Sequence, residues 1–221
     1  MRAQLSALQE ALAGGMPRRG WKVGINVPEI LTMLRLRHSG VGWLNGHNLY
    51  RSGETIIRTV GHGLHVEPEL CLLVRSRIAP EMSSREALSS LHAAAPAFEL
   101  VDYSKRNSDL DSIVAQSMFH AGLVVGSWQP VELASQLGRR RPVVWAADQT
   151  PLQPRPDLVP NDLGKLLVFV AEFLQAFGHT LEPGDLVLTG SYLATAVPLP
   201  PGATAKADFG LLGSVEISVA A

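Results

Sequence analysis

Leu5, Leu8 and Leu12 recur at helical spacing, which predicts a helix over 2–13 stopped by Gly14, Gly15 and Pro17. Trp21 to Gly24 is short and apolar, interrupted by Lys22. Pro28 opens a second helix over Glu29 to Leu36, with Ile30, Leu31 and Leu34 on one side. From Gly40 to Val74 the texture changes: Gly, Asn, His and Ser break the apolar runs, as in strands joined by tight turns, and His65 to Val74 is the longest strand expected. Ser83 and Glu86 form a capping-box pattern ahead of Ala87, Leu88 and Leu91, predicting a helix over 83–94 that Pro96 ends. Ala97 to Val101 reads as a strand and Asp109 to His120 as a helix. Leu123 to Val125 and Pro142 to Ala147 read as strands. Asp162 to Phe177 carries the strongest helical stripe, Leu163, Leu166, Leu167, Val170, Phe173 and Leu174. Four short strands follow, Asp185 to Thr189, Ala194 to Val197, Thr204 to Asp208 and Ser214 to Val219.

Helices and strands do not alternate regularly, so a doubly wound sheet and an eightfold β/α barrel fit poorly. The pattern is that of a β-rich α+β domain with helices packed outside, one domain over 1–221 with a short N-terminal helical segment. Gly (20) and Pro (15) are abundant and sit in the turns. No repeat or low-complexity tract interrupts the chain.

Composition narrows the function. Hydrophobic residues make up 46% and charged residues 18%, the latter below the usual share of about 25%, which suits a well-buried chain or buried subunit contacts and excludes disorder as the main state. With 19 Lys and Arg against 20 Asp and Glu, no global basic field exists to hold nucleic acid or an anionic membrane. The run Arg139, Arg140, Arg141 reads as a solvated loop edge. The single cysteine, Cys71, excludes an intramolecular disulfide and a cysteine-built zinc site, and its default role is a small core residue. No apolar stretch approaches the roughly 20 residues that span a bilayer, and the N-terminus lacks a signal-peptide core, so a cytoplasmic protein is expected.

The most informative segment is His65-Val66-Glu67-Pro68-Glu69-Leu70-Cys71-Leu72-Leu73-Val74. With a side-chain period of two, Glu67 and Glu69 share a face with His65 and Cys71, and Leu70, Leu72 and Val74 take the other. Two carboxylates a few ångströms apart repel unless a proton or cation lies between them, and an all-oxygen set suits a hard divalent cation. The alternative is an exposed strand edge with two solvated glutamates. Glu99, inside the apolar run Ala97 to Val101, is costly to ionise there unless paired or liganded, and supplies a candidate third ligand. Lys22 is a candidate proton-transfer or oxyanion-stabilising group, or a snorkelling lysine at a strand end. His62 and His65 with Glu67 admit an iron-binding cupin reading, weakened by the lack of a histidine after Pro183-Gly184-Asp185. His120, near a predicted helix end, would cap a carbonyl.

In order along nearly the whole chain, Gly20-Trp21-Lys22-Val23-Gly24, His65 to Leu73, Pro96 to Asp102, Gly184 to Ser191 and Leu212-Gly213-Ser214-Val215 resemble motifs of the fumarylacetoacetate hydrolase superfamily. The resemblance is to its branch of 2-oxopent-4-enoate hydratases and 4-oxalocrotonate decarboxylases. It implies a mixed β-barrel-like roll with peripheral helices, and Mg²⁺ or Mn²⁺ held by Glu67, Glu69 and Glu99. It also implies a small-molecule 2-oxo acid substrate, with Lys22 in proton handling and Ser191 and Asp102 binding substrate. A homo-oligomer is expected from the same resemblance.

The chain departs from that branch in places. It is short for it. Asn45-Gly46-His47 stands where the branch has Phe-Ala-Asp, which makes His47 the nearest replacement for an acid/base aspartate. Gln116-Ser117 replaces an expected Asp-Asn pair, and Arg139 to Pro160 lacks the expected glycine-rich pattern. The leading expectation is a metal-dependent hydratase adding water to a 2-hydroxydienoate or 2-oxoalkenoate. Decarboxylation of a vinylogous 2-oxo acid is an alternative. So is hydrolysis of an acylpyruvate with His47 or His120 as base, and so is a catalytically silent homologue that binds a 2-oxo acid.

Overall fold

A computed structural model describes residues 2–57, 63–105, 109–135, 142–146 and 151–221. His62 and the arginine run at 139–141, singled out above, lie outside the described residues. The helices are α1 (Arg2–Ala13), α2 (Pro28–Met33), α3 (Ser84–Ser89), α4 (Leu110–Ala115), α5 (Val131–Ala134) and α6 (Leu163–Gln175). The strands are β1 (Arg18–Gly24), β2 (Gly40–Asn45), β3 (Leu49–Arg51), β4 (Thr55–Ile56), β5 (Leu64–Val74), β6 (Leu91–Asp102), β7 (His120–Val125), β8 (Val143–Ala146), β9 (Leu186–Leu188), β10 (Val197–Pro198), β11 (Thr204–Asp208) and β12 (Ser214–Val219).

Among the described residues these strands form two mixed sheets. The larger runs β2-β1-β9-β5-β6-β7-β3, with β10 paired to β5 beside β9; the smaller runs β4-β12-β11-β8. The larger sheet curls until β2 packs against β7. This is the β-rich α+β domain with outer helices that the pattern predicted, curled into the roll that the resemblance implied.

Alternation along β5 divides the interior. Its odd-numbered residues face the hollow of the curled sheet, where Cys71 packs with Leu44, Ala97, Leu123, Leu186 and Leu188 in an apolar plug. The even-numbered Val66, Leu70, Leu72 and Val74 belong to the main core on the outer face, with Leu163, Leu167, Val170 and Leu174 of α6. Each such side chain contributes roughly 1.5–3 kcal/mol by leaving water. Asp162 caps α6 by accepting from the Lys165 N–H at 3.0 Å.

Two predicted helices stop five residues short of their patterns. The Ser83–Glu86 capping box forms as expected, yet α3 ends at Ser89 and the chain enters β6 at Leu91. Ala93, Ala94 and Ala95 pair with Leu73, Leu72 and Cys71. Alanine favours helix in isolation, but an open ladder along the longest apolar strand outweighs a preference of a few tenths of a kcal/mol per residue. Pro96 therefore lies within a strand rather than ending a helix. Its carbonyl accepts from Gly126 just past the last β6–β7 pair, so its missing N–H costs no ladder bond.

The second case is the segment 109–120. Asp109 caps α4, but the helix stops at Ala115. Ser117, Met118 and Phe119 then take φ of 51°, 55° and 65°, a left-handed turn that reverses the chain into β7. His120 is the first residue of that strand, not a helix cap. No described helix is long and apolar enough to cross a membrane.

Candidate active site

Glu67 on β5 pairs directly with Glu99 on β6, and Glu69 follows two residues along the same face. Each of the three offers a carboxylate oxygen, and these oxygens lie within 4.8 Å of one another. Glu69 and Glu99 are fully buried, while Glu67 is partly open.

Lys22 reaches the cluster from β1. Gly20 has φ 140°, and a Cβ there would lie 1.9 Å from the Leu186 carbonyl oxygen, so only glycine lets β1 lie this close to β9. That contact sets Lys22 opposite Leu188 and turns its side chain inward. Its ammonium is 2% exposed and donates to Glu99 Oε1. His120 Nδ1 lies 2.9 Å from the same oxygen, with the imidazole 1% exposed. Glu69 is held on its other side, where Oε2 accepts from the Gly190 N–H at 2.7 Å.

The charges are unequally matched. Burial, with the charge of Glu99 next, pushes Glu67 up to about 7. Burial and the neighbouring Glu99 and Glu67 raise Glu69 well above the usual carboxylate range. Burial acts on Glu99 too, but Lys22 and His120 outweigh it and hold this carboxyl below its ordinary value. Burial lowers His120, although Glu99 opposes the shift. The cluster thus contains one stably ionised carboxylate, one poised at about 7 and one raised well above the usual range, whose protons a bound cation would replace.

The residues fit a divalent cation. Glu69 Oε1 and Glu99 Oε2 are buried with no hydrogen-bond partner among the described residues. Buried carboxylate oxygens are rarely left unpaired, and an all-oxygen set is what Mg²⁺ or Mn²⁺ takes.

The other predicted residues are placed differently. His47 is exposed in the turn between β2 and β3, its N–H bonded to Asn45 Oδ1. Ser191 is buried, and its hydroxyl bonds the Leu193 carbonyl and N–H, so it ties the turn that carries Gly190. Asp102 accepts from the Ser104 N–H and lines a cavity of 260 Å³ with Asn45, Asn48, Gln116 and His120. His65 donates to the Gly63 carbonyl and lies edge-on to Tyr103. Sequence reasoning gave His120 only a capping role or that of a hydrolase base. Its contact with Glu99 depends on the left-handed turn, which no residue type in 117–119 announces. The apolar, β-branched run Leu123-Val124-Val125 was the available signal for a strand in this region.

Comparisons with known proteins bear on this cluster. No protein-family model matches the chain. A 4-oxalocrotonate decarboxylase from Pseudomonas sp is 32% identical over 166 residues, which are 72% of this chain and 62% of that protein. The chain belongs to the fumarylacetoacetate hydrolase superfamily. Its fold agrees. The 4-oxalocrotonate decarboxylase from Pseudomonas putida G7, complexed with calcium and acetate, superposes with a TM-score of 0.86 at 18% identity, over 98% of this chain and 83% of that one. A second structure of that enzyme, complexed with magnesium and adipate, gives 0.84 at 18% identity, over the same shares of each chain. Fumarylpyruvate hydrolase from Pseudomonas aeruginosa, in complex with Mn²⁺ and pyruvate, gives 0.68 at 16% identity, over 92% and 89%. The fumarylacetoacetate hydrolase-like fold accounts for the curled sheet, and it displaces the cupin reading.

Proposed function

We propose that the protein is a divalent-metal-dependent hydratase acting on a small 2-oxo acid. Water would add across the C3=C4 bond of a 2-oxoalkenoate, its oxygen going to C4 and a proton to C3, to give a 4-hydroxy-2-oxo acid. The observation that carries the reading is the triad Glu67, Glu69 and Glu99, with two buried unpartnered oxygens and the Lys22 ammonium fixed beside it. These glutamates would hold Mg²⁺ or Mn²⁺. Bound there, the ion supplies Lewis acidity toward the 2-oxo oxygen.

The remaining work falls to the chain. Lys22 Nζ, oriented by Glu99, is assigned the proton at C3. Gly190 and the turn tied by Ser191 hold Glu69 in place. The cavity at Asp102, lined by amides, has the polar character to receive water and the distal carbons. His47, exposed in the turn between β2 and β3, is assigned proton exchange with solvent. Assembly of several copies is in keeping with the low share of charged residues, and sedimentation tests it.

A second reading is decarboxylation of a vinylogous 2-oxo acid, favoured by the 32% identity to a 4-oxalocrotonate decarboxylase. It uses the same triad and lysine and needs no water. Acylpyruvate hydrolysis is less well supported, because the carboxylate paired with His120 is itself one of the triad.

Calorimetric titration of the chelated protein with Mn²⁺, with and without oxalate, tests the site. Binding that oxalate tightens and Glu69→Gln abolishes is expected; no binding by the wild type overturns the proposal. Loss of the enoate absorbance without release of CO₂ then separates hydratase from decarboxylase.

A further inference from the structure

Beyond the apolar plug of the curled sheet lies a cavity of 530 Å³, within the roughly 300–1,000 Å³ usual for small-molecule sites. Its floor includes Leu186, a member of the plug, and Val125, which packs against the plug. Leu186 pairs with Leu73, four residues past Glu69 on β5 and so about 13 Å further along the strand. The plug therefore separates this cavity from the carboxylate cluster.

Two arginines line it from strands far apart in the sheet. Arg51 on β3 stands beside Val125, and Arg19 occupies the bulge at the start of β1. Both are exposed. Arg18 is paired with Asp185, and Arg155 with Glu29 and Asp157, but neither Arg19 nor Arg51 meets a carboxylate among the described residues. No acidic residue lines the cavity among the described residues either. Trp128 and Leu49 add apolar wall, 40% and 42% exposed. A flat indole face beside two guanidinium forks suits an anion with an apolar body, because guanidinium binds carboxylate through two parallel N–H donors while the ring covers the rest.

We propose that this cavity is a second ligand site, taking a small dicarboxylate with a flat apolar body. The guanidinium groups of Arg19 and Arg51 hold the two carboxylates, and Trp128 stacks on the body between them. The site is independent of what binds at Glu67, Glu69 and Glu99.

Isophthalate tests this, with benzene-1,3-dimethanol as an uncharged isostere and glutarate as a dianion of the same carboxylate spacing without the ring. The full chain is freed of metal by dialysis, so that no ion at the triad draws carboxylates. Calorimetry should show saturable binding of isophthalate and none of the diol. Glutarate should bind roughly two- to tenfold more weakly, the worth of the lost ring contact. Arg19→Gln and Arg51→Gln alter exposed side chains and should melt as the wild type does. Each should weaken isophthalate at least about tenfold, the loss of one hydrogen bond between charged groups. Isophthalate should quench tryptophan emission in the wild type but not in Trp128→Phe, whose phenyl ring keeps most of the calorimetric affinity. Glu69→Gln, at the other end of the plug, should bind isophthalate unchanged.

No saturable binding of isophthalate, equal binding of the diol, or unchanged affinity in either arginine variant overturns the proposal. Weakening in Glu69→Gln overturns it too, since that places the ligand at the triad. So does Trp128 emission that shifts with protein concentration alone while isophthalate goes unbound, which marks a face covered by a second copy of the chain.

Discussion

Glu67 and Glu99 stand directly opposite each other across the antiparallel β5–β6 pair. Like charges in that position destabilise a sheet by up to about 1 kcal/mol, and burial makes the contact worse. The protein keeps this conflict beside the Lys22 ammonium and the unpartnered oxygens of Glu69 and Glu99. That is the arrangement expected of a site whose stability is completed by a cation.

Removing one member should reveal the conflict. In chelator at pH 8, Glu67→Gln should melt about 2–4 °C above the wild type, the shift that roughly 1 kcal/mol produces in a domain of this size. The same variant should bind Mn²⁺ at least about tenfold more weakly, having lost one anionic ligand. Calorimetric melting with and without metal reads both effects. A variant that melts lower in chelator and binds Mn²⁺ unchanged would remove Glu67 from the site.

Acidity should control the site in a defined direction. Glu67 lies at about 7 when folded, against an ordinary value of 4.5. The folded chain therefore holds this proton more tightly than the unfolded chain. The stability it contributes is complete below about 4.5 and lost as pH rises through about 7. The melting temperature of the chelated protein should accordingly fall between pH 5 and pH 8. Apparent Mn²⁺ affinity should rise over the same interval, because the ion displaces protons from Glu67 and Glu69. An affinity independent of pH from 5 to 7 would contradict the assignment.

Lys22→Met should cost about 3–5 kcal/mol at pH 8, the usual penalty for leaving one buried charge without its partner. Urea unfolding measures it. The loss should shrink at pH 5, where Glu99 without its ammonium can take up a proton. The variant should also fail to exchange the C3 proton of a 2-oxo acid for deuterium. A cost under about 1 kcal/mol at both pH values would show that the pair does not organise the site.

Gly20→Ala should prevent stable folding, since its Cβ would fall 1.9 Å from the Leu186 carbonyl oxygen and part β1 from β9. Gly15→Ala is the control. Its φ is 86°, but nothing lies within 4 Å of a Cβ there, so only left-handed strain of about 1–2 kcal/mol is expected. Soluble expression and melting curves distinguish the two. Equal effects would mean that close packing of β1 on β9 is not what places Lys22.

The carboxylate triad was legible because a strand has period two. Glu67-x-Glu69 can share a face only if the segment is extended, and Glu99 in an apolar run demanded a partner. Helix α6 and the last two strands were legible for the same kind of reason, a local period long enough to leave no rival. The segments 91–95 and 116–120 were not. Alanine and short polar residues leave the choice of helix or strand to the neighbours, and here an unpaired ladder on β5 and a left-handed turn before β7 made it.

By itself, then, the sequence marked Glu67, Glu69, Glu99 and Lys22 as candidates for the chemistry, since charged residues set among apolar positions on a strand are sorted to its faces by backbone geometry alone. Tertiary structure decided which of them meet. Lys22 and His120 are 98 residues apart in the numbering, and both bind Glu99 Oε1 only because the sheet curls β1 and β7 around β6. Burial is a property of that assembled surface, so the tighter hold of Glu67 and Glu69 on their protons, the opposite shift of Glu99 and the unpaired nitrogen of His120 exist only in the folded chain.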